Sequence, residues 1–427
     1  MSATQSGAAP AQGRAAARPY GTAMASHAVA TLPALTSIRF LAALTVVLCH
    51  FTEIGVLNGP AWFLQLADGG RPAVSLFFVL SGFVLTFTYR DKIGLPGGAA
   101  AFYAARFARI YPVLVLSLLL SLPVTLWLLH TGDSELLREW YGLKGSYVAM
   151  LAVSLVAQLL ALTAWLPFSA LNQPWNGPAW SISCEAFFYA LFPLLLRRLE
   201  KRGSRALALL CLALWLLQGA WIALLMAVLP PSRHGFLVAQ FPLTHLFEFV
   251  LGVCAGIAYA RLRGAGGSRH TLGMGLVAVA VCAVGTLAVL RPLSPAFYLQ
   301  APFFGALILG LALLERPVAG VLHRRWLVSL GEASFALYLI HVPLARMAYL
   351  AGWRQQAGWL AVALAILLSL AIYRYVEEPM RRQLRRRLAR PRVVLPVVLP
   401  VVLSVVPGAP PASAPQAPAA PVQASNG

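Results

Sequence analysis

Charge-free apolar stretches recur along this chain: Ile110 to Leu129, Ser146 to Cys184, Ala206 to Ser232, Thr271 to Leu290, Pro292 to Leu314 and Gln355 to Tyr373 contain no Asp, Glu, Lys or Arg. A helix needs about 20 mostly apolar residues to cross the hydrocarbon core of a bilayer. The alternating polar residues of barrel strands are absent, so the spans read as helices, whose backbone groups are satisfied within each segment. Composition agrees: 59% of residues are hydrophobic and 11% charged, against about a quarter charged in soluble domains. Water is not the main solvent of this chain.

The formal net charge of +20 does not point to nucleic acid, because the basic residues fall in short clusters between apolar runs. Such clusters mark cytoplasmic loops and attract anionic headgroups. The five cysteines (Cys49, Cys184, Cys211, Cys254 and Cys282) all lie inside apolar runs without a Cys-x-x-Cys pair, which argues against a disulfide framework or a zinc site. Residues 1–33 are rich in small residues and Pro, carry Arg14 and Arg18 but no acid, and read as a disordered cytoplasmic arm. The first apolar run continues into Glu53 without a small-residue cleavage site, as an uncleaved anchor does. Residues 383–427 begin basic, then repeat Val-Val-Leu-Pro and drift into Pro and Ala. They read as a disordered tail, with a surface-associated segment as the other reading.

Five basic clusters set the topology: Arg90 to Arg109, Arg197 to Arg205, Arg261 to Arg269, Arg316 to Arg325, and Arg381 to Arg392. Placing all five inside requires an even number of crossings between neighbours. Between Arg109 and Arg197 lie three apolar segments, so one of them is not a simple span. Residues 148–166 are chosen, because their continuation is rich in Pro, Asn and Gly and must be protein-covered. The expected architecture is an all-α polytopic bundle spanning residues 34–382, with about ten spans plus one re-entrant or buried helix. The spans fall near 35–54, 72–90, 110–129, 179–196, 206–228, 241–260, 271–290, 297–314, 331–350 and 357–376, with both termini cytoplasmic. No internal repeat is visible.

Ionisable groups at membrane depth are expensive, so each is a candidate site. Arg39 and His50 are eleven residues apart, which places them on one helix face roughly 16 Å apart; a snorkelling anchor and a packing histidine are the plain alternatives. Arg106 and Arg109 share a face at i, i+3. Ordinary positive-inside residues look the same, but planar guanidinium groups also fork onto phosphates. Ser181, Glu185 and Tyr189 form one stripe at i, i+4, i+8; Ser334, Tyr338 and His341 form another. His245 and Glu248 pair at i, i+3 and read as structural. Ser81-Gly82 suits either close helix approach or a ligand approach, with packing the simpler account.

Together these residues resemble the integral-membrane acyltransferase-3 family. The motifs occur in order: Arg39-x10-His50, Phe77-Phe-x-x-Ser81-Gly-Phe, Arg106-x-x-Arg109-x-x-Pro112, Trp180-Ser181-x-x-x-Glu185-x-x-x-Tyr189, Ser334-x-x-x-Tyr338-Leu-x-His341 and Glu377-x-Pro379. Cys184 and Ala186 depart from the Val and Glu that the resemblance leads one to expect. No soluble esterase-type domain follows the spans, so the acyl group would pass directly to its acceptor.

The resemblance implies a multi-pass protein of the bacterial cytoplasmic (inner) membrane that moves an acyl group, commonly acetyl, from acyl-CoA to a hydroxyl of a sugar, polysaccharide, lipid or small metabolite. It implies acyl-CoA as co-substrate, with no permanently bound cofactor and no metal. Arg39, Arg106 and Arg109 would hold the donor's phosphates, and His50 would serve as general base or transient acyl carrier. Glu185 would orient the imidazole or pair with an arginine; Tyr189, Tyr338 or His341 would donate to the oxyanion, with Ser81, Trp180 and Ser181 in support. A proton-coupled transporter also carries buried His, Glu and Arg, but the missing repeat weighs against it. A non-catalytic scaffold is the third reading, and it would tolerate loss of His50 and Arg39.

Overall fold

The computed structural model describes residues 32–145, 147–266, 268–290, 297–314 and 320–388. Residues 1–31, most of the expected N-terminal arm, and 389–427, most of the expected tail, lie outside that set. The described residues form helices and no strand: α1 (Pro33–Glu53), α2 (Ala61–Asp68), α3 (Gly70–Tyr89), α4 (Gly98–Thr131), α5 (Ser134–Tyr141), α6 (Tyr147–Leu159), α7 (Ser169–Asn172), α8 (Trp180–Leu199), α9 (Ser204–Val228), α10 (Pro231–Leu237), α11 (Leu246–Gly264), α12 (His270–Leu290), α13 (Phe297–Leu313), α14 (Arg325–Leu350), α15 (Gln356–Ile372) and α16 (Glu378–Leu388). A π turn, Tyr373–Glu377, joins the last two.

Eight helical stretches among the described residues are long and apolar enough to cross a membrane. The other two expected spans became α11 and α13, of 19 and 17 residues. Helix α11 starts at Leu246 rather than near 241, since Pro242 and the turn it sits in keep Phe241 to His245 out of the helix. Helix α16 continues through 383–388, residues that the sequence reading had placed in a disordered tail.

Residues 148–166 form no helix long enough to cross as a simple span. Helix α6 has 13 residues, about 20 Å at 1.5 Å per residue, and irregular backbone follows it up to α8. Side chains tie that segment down: Gln158 Nε2 donates to its Pro174 carbonyl and Ser154 Oγ to its Leu171 carbonyl, while its own Trp175 Nε1 and Asn176 Nδ2 donate out to the helix carbonyls of Leu151 and Leu339. Polar side chains in this apolar stretch therefore do the work water does elsewhere. They also anchor the N-terminus of α8, which carries Ser181 and Glu185.

The centre of the bundle is set by close helix contacts. Helix α1 packs on α14 and α3, and α3 on α11 and α13; α1 and α14 are mostly buried, whereas α9 and α12 are mostly exposed on their apolar faces. A Cβ on Gly252 would run into the Val79 carbonyl, one on Gly82 into that of Phe249, and one on Gly331 into that of Thr36. Backbones touch at these points, which is how small residues drive helix association in lipid. Close packing thus accounts for Gly82, and the Gly331 contact fixes the register of α14 against α1.

Candidate active site

That register brings His50 of α1 to His341 of α14, Nδ1 to Nε2, at 3.2 Å. Each ring is also held by a carbonyl of its own helix. His341 Nδ1 lies 2.5 Å from the Tyr338 oxygen and His50 Nδ1 lies 3.0 Å from the Val46 oxygen. A carbonyl can only accept, so in the neutral rings both Nδ1 atoms carry the hydrogen. His341 Nε2 is then an acceptor, and the His50 Nδ1–H is shared between Val46 O and His341 Nε2. His50 Nε2 is left with a lone pair and takes no bond among the described residues. His341 is fully buried, whereas His50 is only partly so.

One turn back along α14, the Tyr338 ring stands 5.6 Å from that of His341, centroid to centroid. Its hydroxyl is 2.8 Å from Ser181 Oγ, and both hydroxyls lie within hydrogen-bond reach of the Pro178 carbonyl. Arg39, Ser181, Glu185, Ser334 and Tyr338 line a cavity of about 60 Å³ whose remaining wall is apolar, with Phe77, Phe78 and Phe335 prominent. Trp180 stands outside this lining, between Phe78 and His245. A larger, open depression of about 520 Å³ lies at the α5–α6 connection and holds none of the candidate residues.

The arginines gather around Glu185. Arg39, Arg106 and Arg109 all act electrostatically on its carboxylate, and Tyr189 donates to it at 2.7 Å. Tyr189 also meets Ser81 and Arg106; the Arg106 guanidinium lies over the Tyr89 and Tyr189 rings and donates to Tyr89 Oη at 3.3 Å. Three expected roles change. Glu185 does not orient His50, whose ring is held by Val46 and His341. Arg109 does not stand open to a ligand: it is ion-paired with the fully buried Glu377 and lies over the Phe335 ring, because a carboxylate buried there needs a cation. His341, with Nδ1 spent on Tyr338 and Nε2 on His50, has no hydrogen to offer an oxyanion.

Sequence reading missed three groups. Arg381 of α16 acts on Arg39 and Arg109; it looked like one more positive-inside residue. Arg346, buried in α14, donates to the Trp175 and Trp140 carbonyls; a charge in mid-span was the signal available. The His245–Glu248 pair was seen, but not its partners: Ser75 and Gln218 also donate to the Glu248 carboxylate. These bonds link α3, α9 and α11. Among the described residues no three His, Cys, Asp or Glu side chains cluster as metal ligands do.

A family model described as "Acyltransferase domain" matches residues 32–374, the same stretch that carries both histidines and the arginine cluster. The chain belongs to this acyltransferase family. It is 32% identical over 384 residues to acyltransferase MdmB of Streptomyces mycarofaciens, covering 83% of this chain and 92% of that one. Nodulation protein 10 of Rhizobium leguminosarum bv. viciae is 28% identical over 42% of the chain and 49% of its own length. Protein 2 in the picA locus of Rhizobium radiobacter is 34% identical over 37% of the chain and 78% of its own. No solved structure matches. The protein is an acyltransferase embedded in a membrane by multiple helices.

Proposed function

We propose that this acyltransferase moves an acetyl group from acetyl-CoA to a hydroxyl of a sugar, polysaccharide, lipid or small metabolite, with His50 as general base. The observation that carries this is that His50 is held through Nδ1 by the Val46 carbonyl and His341, with no bond to Nε2 among the described residues. In the reaction His50 Nε2 takes the proton as the acceptor oxygen bonds to the thioester carbonyl carbon. The C–S bond then breaks and the proton passes from Nε2 to the CoA thiolate, leaving an oxygen ester.

Arg39 and Arg106 bind the donor's phosphates at the end of the bundle away from His50, and Arg381 takes the place in that cluster that Arg109 gives up to Glu377. Arg39 and His50 are roughly 16 Å apart along α1, a separation suited to a ligand whose anionic head and reactive thioester are joined by a long arm. With the Ser181 hydroxyl donating to the Pro178 carbonyl, the hydrogen of Tyr338 at the cavity wall can turn to the oxyanion. The basic clusters support a reading in which the arginine end faces the cytoplasm across a bacterial inner membrane, with both termini on that side.

Mass spectrometry of surface glycans and extracted metabolites from a deletion strain tests this reading. A species 42 Da lighter (about one acetyl group), restored by the wild-type gene but not by His50→Ala, supports it. Full restoration by His50→Ala removes His50 from the chemistry; substrate efflux without any lost acyl mass favours a transporter.

A further inference from the structure

The catalytic base depends on a second imidazole. We infer that His341 is the positioning residue of the reaction: its Nε2 fixes the tautomer of His50 and accepts a stronger hydrogen bond as the His50 ring becomes positive. This deepens the assignment of His50 as base and rests on it.

The geometry leaves His341 no other part. It is fully buried, so it does not meet the acceptor. Its Nδ1–H is committed to the Tyr338 carbonyl at 2.5 Å, which obliges Nε2 to be an acceptor, and that acceptor faces His50 Nδ1 at 3.2 Å. The Val46 carbonyl shares that Nδ1–H at 3.0 Å, since a carbonyl has a second lone pair beside the one its helical amide uses; the lone pair of His341 is the acceptor that another helix brings to it.

When His50 Nε2 takes the acceptor's proton, positive charge spreads to Nδ1–H, and a hydrogen bond from an ionised donor is roughly twice as strong as a neutral one. His341 thus does for His50 what a buried carboxylate does in a hydrolase triad, without a charge of its own. A neutral partner suits a bundle interior, where an isolated carboxylate is costly. No proton need move to His341; the one abstracted at Nε2 returns from Nε2 to the thiolate.

Steady-state kinetics of the reconstituted full chain with acetyl-CoA, together with nitrogen-15 solid-state NMR of histidine-labelled wild-type protein, tests this. His341→Ala is expected to lower kcat by about 100-fold or more while KM for acetyl-CoA stays unchanged. His341→Gln, whose carboxamide oxygen can accept from Nδ1–H, recovers a good part of that loss. The spectrum, with His50 assigned by its absence from His50→Gln protein, shows the Nδ1–H tautomer; this reading stands on wild-type protein and survives a variant that does not fold.

An Nε2–H tautomer at His50, wild-type kcat in His341→Ala, or equal losses in the Ala and Gln variants would overturn the inference. An inactive His50→Ala beside a fully active His341→Ala sinks only the partnership. An active His50→Ala sinks the base itself, and the partnership with it.

Discussion

Arg109 on α4 and Glu377 in the π turn ahead of α16 form an ion pair whose carboxylate is wholly buried, with the guanidinium lying over the Phe335 ring of α14. Three separate elements are thereby tied at the arginine end of the cavity. Removing one partner of a buried pair leaves the other charge stranded, at a cost of about 3–5 kcal/mol. Glu377→Ala should therefore lower the unfolding temperature of the detergent-purified protein sharply. Arg109→Met combined with Glu377→Met should lose much less than the single changes together. Additive losses in the double variant would show that the two groups are not coupled.

Arg39 and Arg106 are not neutralised in the same way, since among the described residues neither has a carboxylate within a hydrogen-bonded pair; the anion acting on both is Glu185. Two guanidinium groups around one carboxylate leave positive charge for a ligand. Arg39→Gln and Arg106→Gln should each weaken binding of a CoA thioester by about 10- to 100-fold, the range of one charged hydrogen bond. Calorimetry at rising salt concentrations checks this, with the wild-type affinity falling and the variants' falling less. Unchanged affinity in both variants would contradict the anchor.

Helices α3 and α11 touch backbone to backbone at Gly82 and Gly252. Gly252→Val cannot be accommodated without parting the helices, because the obstruction is the Val79 carbonyl rather than a movable side chain. It should destabilise the fold by about 1–3 kcal/mol or more, as overpacking does, and its activity should fall with the folded fraction. Gly275, which has nothing near it, serves as the control: Gly275→Ala should be neutral or slightly stabilising. Thermal scans of the two variants distinguish a packing contact from a general intolerance of glycine replacement.

The bundle was legible because lipid leaves a chain few options: long apolar runs had to be helices, and basic clusters had to bound them. Crossing parity and the Pro, Asn and Gly that follow single out residues 148–166, and the helix formed there, α6, has 13 residues. Within the site, helical spacing placed Ser181, Glu185 and Tyr189 on one stripe, and Tyr189 does bond to Glu185. What spacing could not reveal was which partner each group finds on another helix. Arg109 sees Glu377 and His50 sees His341 through contacts remote in sequence. Tautomers follow from those contacts alone.

The imidazole of His50 is the proposed base of acyl transfer. Free-thiol release from acetyl-CoA, followed in vesicles reconstituted with the full chain and supplied with a cell-extract acceptor pool, measures it directly. His50→Ala should bind the CoA thioester as the wild type does while thiol release falls by about 100-fold or more. Thiol release near the wild-type rate in that variant, with the protein folded and inserted, would contradict the central role of the imidazole.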